Sequence, residues 1–540
     1  NCSYLDLDSP VAMAELLYVL MNGTGVGYSV EKRVVDKWPA VPENIERVEG
    51  AVLSCEDSKE GWADMVKYLL QDLLHGKHPT WDLTKVRPAG SRLKTFGGRA
   101  SGPEPLEDCL RFITKTIYGA RGRRLRPIEI HDMACVIANS VIVGGVRRSA
   151  MISLSDLHDT EMANAKSGNW WEAHPYRALA NNSAVYEDKP QMDEFMDEWT
   201  RIYRSFSGER GVFNRQAAQL CSHEIGRDDN HYFGTNPCGE ITLRPMQFCN
   251  LTEVVLRKDD CEETVLEKVK AATIIGCIQA ACTHFPYLRP QWQVNTEEEA
   301  LLGVSLTGIQ DFQPTNHEYR LFRNKANAIA DQYSRLMGIN RPAAVTTVKP
   351  SGTVSCLVDS SSGIHERWSQ YYIRRARMDQ KDPMCKLMMD AGVPGAPCVN
   401  NPGNTYVFEF PIGIDREVGD PSAELQMDKW YDCKKYYTDH NPSVTITYKP
   451  DEYMELGAKL YKDHVWKVAQ GLSFLPKAEH VYQQAPYEAI SKEQYDVLAA
   501  SMPTVDWTLL SQYELEDNTK SGQAFACTGG ACEIVDTTEH

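Results

Sequence analysis

The sequence lacks any apolar run of the ~18 residues that a membrane-crossing helix needs. The longest candidate, 271–285, is broken by Thr273, Gln279, Thr283 and His284 and reads as a buried helix. A charged-then-apolar leader is also missing from its start. Both absences lead us to expect a soluble, cytoplasmic protein with no membrane partner. Nor is there an excess of positive charge: 57 Lys and Arg stand against 74 Asp and Glu, a net charge of −17. That balance argues against a protein that holds nucleic acid by neutralising phosphates, and leaves small anionic ligands to local basic clusters. Thirty-six Gly and 28 Pro are too few in 540 residues for a fibre or a disordered chain. Sixteen cysteines are too sparse for a disulfide scaffold, and most are expected to be reduced. No internal repeat is found, and the chain opens at Asn1 rather than Met, which reads as a processed or partial product.

What is present is an average apolar content, 42%, in a chain long enough for a large core. Asp8, Ser9 and Pro10 cap and open a helix that runs through Leu16, Leu17, Leu20 and Met21 to Gly23. A glycine-rich turn over 23–27 follows. Trp62, Val66, Leu69, Leu70 and Leu73 recur at helical spacing up to Gly76, and 87–105 reads as a long irregular loop. A helical stretch over 131–140, strand-like stretches at 141–143 and 150–154, and β-branched runs at 345–348, 406–410 and 444–447 predict an α/β architecture with a largely parallel sheet. The last 25 residues, 516–540, are dominated by Ser, Thr, Gly and acidic side chains and read as a flexible tail.

Three stretches carry chemistry. In Phe233-Gly234-Thr235-Asn236-Pro237-Cys238-Gly239-Glu240-Ile241, Pro237 and Gly239 place Cys238 at the apex of a tight turn, with Cys249 eleven residues later. A thiol, an amide and a carboxylate can there touch one ligand group; the plain alternative is a surface turn with a structural cysteine. In the tail, Cys527 and Cys532 are separated by four residues, two of them glycine, so the chain can fold back to disulfide distance. A zinc half-site competes, but no second Cys/His pair lies nearby at ligand spacing. A dithiol on a flexible tail suits a swinging redox arm. Third, 345–348 runs into Lys349-Pro350-Ser351-Gly352-Thr353-Val354-Ser355, whose N–H groups and hydroxyls suit phosphate oxygens, although the spacing is not that of a P-loop.

Together these residues resemble one family, the ribonucleotide reductases, and within it the adenosylcobalamin-dependent, monomeric, class II type. The resemblance also takes in Thr95-Phe96-Gly97-Gly98-Arg99-Ala100-Ser101-Gly102-Pro103, Gly144-Gly145-Val146-Arg147-Arg148-Ser149-Ala150, Tyr371-Tyr372-Ile373-Arg374-Arg375, Gly471-Leu472-Ser473-Phe474-Leu475-Pro476 and Ala485-Pro486-Tyr487-Glu488, so it covers almost the whole chain. It implies, for residues 1–515, a ten-stranded α/β barrel of two parallel five-stranded half-sheets, with Cys238 on a central finger loop. Effector or specificity segments would fall within 30–105 and a redox tail at 516–540. The N-terminal helical segment usual in the family is absent, which puts Cys2 on a terminus expected to fray.

The resemblance also implies an activity: ribonucleotides, by closeness to the monomeric subtype triphosphates, reduced to 2′-deoxyribonucleotides for DNA synthesis by a thiyl radical. Adenosylcobalamin is the implied cofactor, and the radical it generates would take a hydrogen atom from Cys238. The thiyl would then abstract the ribose 3′-hydrogen. Glu240 would act as base on the 3′-hydroxyl, Asn236 would hold the sugar hydroxyls, and Cys2 and Cys249 would supply two electrons and end as a disulfide. Cys527 and Cys532 would reduce that disulfide and be reduced in turn by a thioredoxin-like partner. Ser351, Gly352, Thr353 and Ser355 would hold the substrate phosphates, and a deoxynucleotide effector is implied, with Arg99 as a candidate contact. No resident metal site is expected, and the Asp-x-His-x-x-Gly cobalamin pattern is absent. Cys109, Cys135, Cys277, Cys282 and Cys356 read as core packing. A glycyl-radical enzyme would need a glycine motif where the tail carries its dithiol. Two alternatives stay open. One is a class I-type catalytic subunit fed by a separate radical-generating subunit, for whose tyrosine pair Tyr436-Tyr437 can be mistaken; the other is a truncated nucleotide-binding chain without turnover.

Overall fold

Ten strands share one mixed sheet in the computed structural model: β1 Cys2–Asp6, β2 Gly25–Ser29, β3 Met151–Asp156, β4 Ala180–Tyr186, β5 Gly211–Asn214, β6 Gln247–Val255, β7 Leu302–Thr307, β8 Thr346–Thr347, β9 Thr445–Tyr448 and β10 Gly471–Pro476. The described residues are 2–89, 91, 100–143, 146–147, 149–380, 382–399, 402–403, 405–477 and 483–513. Arg99, Cys527 and Cys532 lie outside them.

The strand order is β8-β7-β6-β1-β2-β3-β4-β5-β10-β9. β1 to β5 run parallel in sequence order; β6, β7 and β8 are parallel to one another, as are β9 and β10. The groups meet antiparallel along β1/β6 and β5/β10. At the two remaining edges Val348, beyond β8, bridges Pro442, before β9, in parallel, and the Ser443 N–H donates to the Val348 carbonyl at 2.8 Å. Parallel neighbours need long crossovers, and helices fill them. α1 (Pro10–Met21) joins β1 to β2, α2 (Glu262–Ala280) lies between β6 and β7, and α3 (Asn316–Met337) between β7 and β8. Ser9 caps α1 by accepting from the Ala12 N–H at 3.3 Å, with Pro10 in its first turn.

The period of two along each strand separates two faces. Leu5, Val26 and Tyr28 belong to a large core shared with α1, while Leu302, Val304 and Leu306 belong to a second one shared with α2 and α3. The opposite face carries Cys2, Tyr4, Leu154, Val185, Phe213, Cys249 and Leu301 in a smaller cluster that also contains Phe233, Ile241 and Leu243. A separate four-stranded antiparallel sheet runs Gly395–Pro397, Thr405–Gly413, Tyr371–Asp379, Tyr487–Ala489.

Several sequence expectations are corrected. Only Gly23 of 23–27 turns, with φ 77°, and Gly25 already belongs to β2. The stretch 271–285 is the end of α2 and a following loop; Ala272, Gly276, Cys277 and Ala280 are buried, but Ile275 and Ile278 are 51% and 54% exposed. The irregular stretch after Arg87 gives way to a helix at Glu104–Gly119, so Pro105 sits in a first turn. Cys282 and Cys356 are exposed, whereas Cys109, Cys135 and Cys277 are buried. Cys2 does not fray: β1 is paired on both sides, and all five of its residues are buried. Among the described residues no helix is long and apolar enough to cross a membrane.

Candidate functional site

A hairpin lies against the face of β1 and β2 that points away from α1. Gly234–Thr235 pairs antiparallel with Thr242–Leu243, leaving residues 236–241 as its tip. The Gly239 N–H donates to the Asn236 carbonyl at 2.9 Å and Gly239 takes φ 76°, so the tip is a tight turn that needs glycine there. Glycine also explains how the hairpin comes so close. A Cβ on Gly27 would stand 1.7 Å from the Thr235 carbonyl oxygen, one on Gly25 3.1 Å from Pro237 Cγ, and one on Gly234 2.1 Å from the Tyr4 ring.

β8 and the segment that leads into β9 hold the tip from the other side. Asn441 Nδ2 donates to the Gly239 and Gly471 carbonyls, each at 3.0 Å, and Ser443 Oγ donates to the Cys238 carbonyl at 2.5 Å. Thr347 Oγ1, on β8, donates to the Glu240 carbonyl at 3.1 Å. At the base, Arg215 donates Nε to the Phe233 carbonyl at 2.8 Å and pairs both terminal nitrogens with Glu31. Arg227 pairs with Glu299 and donates to the Thr242 carbonyl at 2.9 Å. Gly27→Ala is therefore expected to unseat the hairpin, at a cost of at least about 1–3 kcal/mol of overpacking. A lowered Tm together with faster alkylation of Cys249 checks this; a fall in Tm with Cys249 still protected goes against it.

Four of the residues singled out from sequence converge. Cys2 and Cys249 are directly opposed across the β1/β6 ladder. Such opposed residues have Cα atoms ~4.5–5.5 Å apart, inside the span a disulfide can bridge. Both are thiols here. Asn236 Nδ2 donates to Cys2 Sγ at 2.9 Å, and Cys2 Sγ faces Glu240 Oε1 at 3.8 Å. Asn236 Oδ1 accepts from the Ile241 N–H at 3.0 Å, so its side chain both shapes the tip and touches the thiol. Exposures of 3% for Cys2, 1% for Asn236 and 0% for Glu240 and Cys249 contrast with Cys238, which is only half-buried at the apex between Asn236 and Glu240.

Burial, with the Glu240 carboxylate beside them, pushes the thiols of Cys2 and Cys249 well up. They stay protonated, able to give up hydrogen and electrons but poor as thiolate nucleophiles. Burial also raises Glu240, with Lys349 and the Asn236 amide pulling it part of the way back. Glu240 Oε2 has no hydrogen-bond partner among the described residues. A buried acceptor left open is costly unless a ligand hydroxyl or water fills it.

Lys349 is the residue that sequence reasoning passed over. It stood in the third motif without a role, although it was the one charged side chain at the end of a β-branched run. Burial opposes its charge, yet its pKa is raised, with the Glu240 carboxylate as the largest influence in that direction. The loop that follows begins two residues beyond β8. Ser351 and Ser355 are buried at 3% and 4%, Gly352 is half-buried, and Thr353 is exposed at the start of the short helix Thr353–Leu357. Ser351 Oγ accepts from the Ser355 N–H at 3.1 Å, and Ser355 Oγ donates to the Ser351 carbonyl. Among the described residues no cluster of His, Cys, Asp and Glu is arranged to hold a metal ion.

No protein-family model matches the chain. Individual relatives do. Over 497 residues it is 29% identical to an adenosylcobalamin-dependent ribonucleoside-triphosphate reductase of Euglena gracilis, an alignment spanning 88% of this chain and 66% of that protein. It is 28% identical over 506 residues to a probable enzyme of the same description from Dictyostelium discoideum (89% and 64%), and 27% identical over 605 residues to one from Lactobacillus leichmannii (95% and 79%). The chain thus spans just under two thirds of the length of the first two. The fold matches a crystal structure described as a B12-dependent (class II) ribonucleotide reductase, with a TM-score of 0.79 and 23% identity over 96% of this chain and 84% of that one.

Proposed function

We infer that this homologue of the adenosylcobalamin-dependent class II ribonucleotide reductases converts ribonucleotides, with triphosphates as first candidates, to 2′-deoxyribonucleotides. The observation that carries the reading is one cluster: a finger-borne cysteine flanked by an amide and a carboxylate, with a cross-strand thiol pair beside it. The Val348–Pro442 bridge between the two sheet edges supports a barrel of two five-stranded halves, β1–β5 and β6–β10, closed around that cluster.

Adenosylcobalamin, when bound, supplies a carbon radical able to take a hydrogen atom from a thiol. The half-buried Cys238 fits such a donor, because it is the cluster's least enclosed thiol. As a thiyl, Cys238 takes the 3′-hydrogen of the ribose. Glu240, through its open Oε2, accepts the 3′-hydroxyl proton. Asn236 exchanges its contact with Cys2 for the sugar hydroxyls. The 2′-oxygen leaves as water, and Cys2 and Cys249 deliver two electrons and two protons in becoming a disulfide. Glu240 gives its proton back to the 3′-oxygen, Cys238 returns its hydrogen to C3′ and is again a thiyl, and both groups end as they began. Lys349 steadies the negative charge that Glu240 carries before the proton arrives. Ser351, Gly352, Thr353 and Ser355 hold the phosphates, a deoxynucleotide effector binds elsewhere on a monomeric chain, and a thioredoxin-like protein reduces the tail.

Anaerobic conversion of CTP to dCTP with dithiothreitol, with and without adenosylcobalamin, tests the reading. Turnover only with the cofactor is expected. Turnover that instead requires a separate radical-bearing subunit would make the chain a class I-type partner, and nucleotide binding with no turnover under either condition would leave a binding protein. The tail has its own prediction. Cys527→Ser with Cys532→Ser is expected to spare dithiothreitol-driven turnover and to lower thioredoxin-driven turnover at least about a hundredfold, because a tethered dithiol works at millimolar effective concentration. Equal loss with both reductants removes the arm.

A further inference from the structure

The four-stranded sheet, which takes no part in the cluster above, carries a cavity of about 440 Å³. Met378 and Phe410 line it from the sheet, Met384 and Met388 from the helix Pro383–Asp390, and Met502 and Trp507 from the last described stretch of chain. Four thioether side chains around one groove make an adaptable apolar surface that favours aromatic occupants. Trp507 is 53% and Met384 38% exposed, so the groove opens to the outside.

We propose that this groove is the dock of the chain's own C-terminal segment, with Phe525 as the anchor. The course of the chain argues for this occupant. After contributing Met502 and Trp507 the chain forms the helix Leu510–Tyr513, and the Tyr513 hydroxyl donates to Asp390 at 2.9 Å, at the end of the helix that supplies Met384 and Met388. The tail therefore departs from the groove's own wall. Twenty-seven residues follow Tyr513, and Phe525 is the one aromatic residue among them, flanked by Ala524 and Ala526. Eleven residues lie between Tyr513 and Phe525, a length of chain whose root-mean-square span as a coil is about 20 Å, enough to reach back across the groove. At that tether length the local concentration of the anchor is millimolar, so even weak affinity fills the site. Docking holds Cys527, two residues on, at the groove mouth and on the outer sheet. The dock stands on the groove and the tether; its meaning, a place where the tail dithiol waits for an external reductant, rests on the redox reading of that tail.

Methionine oxidation by dilute hydrogen peroxide, read by peptide mass mapping on the full chain, tests the dock. Phe525→Ala is expected to speed sulfoxide formation at Met384 and Met502 at least about threefold, with Met427, fully buried in the core shared with α2 and α3, unchanged as the internal control. Equal rates in both proteins overturn the proposal. Phe525→p-benzoylphenylalanine, irradiated in the full chain, is expected to cross-link within the same chain to Met384, Met388 or Met502; links to a second copy, or to other surfaces, overturn it too. Dithiothreitol-driven turnover of Phe525→Ala is expected to match the unaltered chain, so failure of the dock and failure of the reductase reading are told apart.

Discussion

Cys238→Ser is expected to abolish turnover with dithiothreitol and with thioredoxin alike, to below about one part in 10⁴ of the unaltered chain, since a group that forms the reactive intermediate itself cannot be bypassed. The reason is chemical. An alkyl radical takes hydrogen from a thiol readily, but a serine O–H bond is far stronger, and no other thiol stands at the apex of the hairpin. The fold should survive, because serine fits the half-buried position and the bonds that hold the tip run through backbone carbonyls of Cys238, Gly239 and Glu240. A Tm close to that of the unaltered chain, within the ±0.5 kcal/mol typical of substitutions that break no packing, is the control. Cys249→Ser should differ in kind: the radical can still form on Cys238, but the two-electron donor is broken, so the first turnover stalls after the 3′-hydrogen is taken. Measurable steady-state product from Cys238→Ser would take the thiyl role away from that residue.

The parts of the site legible in sequence were those set by local constraint. Pro237 and Gly239 around Cys238 announce a turn, and the structure has one, with Gly239 in the left-handed region. Cys2 is another matter. Its opposition to Cys249 spans 247 positions and exists only through the β1/β6 register, which no local pattern reveals. A terminus looks mobile from sequence because nothing nearby restrains it; here two neighbouring strands do. Gly25 and Gly27 were misread because glycine serves two ends, turning a chain and letting another backbone approach, and only the hairpin shows which applies. Ile275 and Ile278 made α2 look buried because composition alone does not tell which face of a helix meets the core. The ten strands were only partly visible: β3, β8 and β9 fall on the strand-like runs at 150–154, 345–348 and 444–447, whereas β5 is four residues long and its place in the sheet comes from its neighbours.

Glu240→Gln is expected to lower kcat by about 10²–10⁴-fold, the usual worth of a positioned proton acceptor, while changing nucleotide affinity little. The amide keeps the size of the side chain and an oxygen for Cys2 to face, so what it removes is the basic group. The pH dependence gives a sharper readout. Burial raises the Glu240 carboxyl above the ordinary ~4.3, and the base form is the working form, so kcat of the unaltered chain should climb with pH through that raised value. In Glu240→Gln that limb should disappear. Lys349→Met removes a positive charge that favours the carboxylate, so it should move the limb to higher pH without abolishing it. Stability runs the opposite way. A carboxyl raised by folding stabilises the protein below its unfolded pKa, and that contribution is lost as pH rises through the folded value. Glu240→Gln cannot ionise, so it should hold its Tm across the pH range in which the unaltered chain declines. Single-turnover rates and Tm measured against pH for the three proteins decide the matter: a limb that persists in Glu240→Gln, or that moves to lower pH in Lys349→Met, would assign the proton transfer to another group.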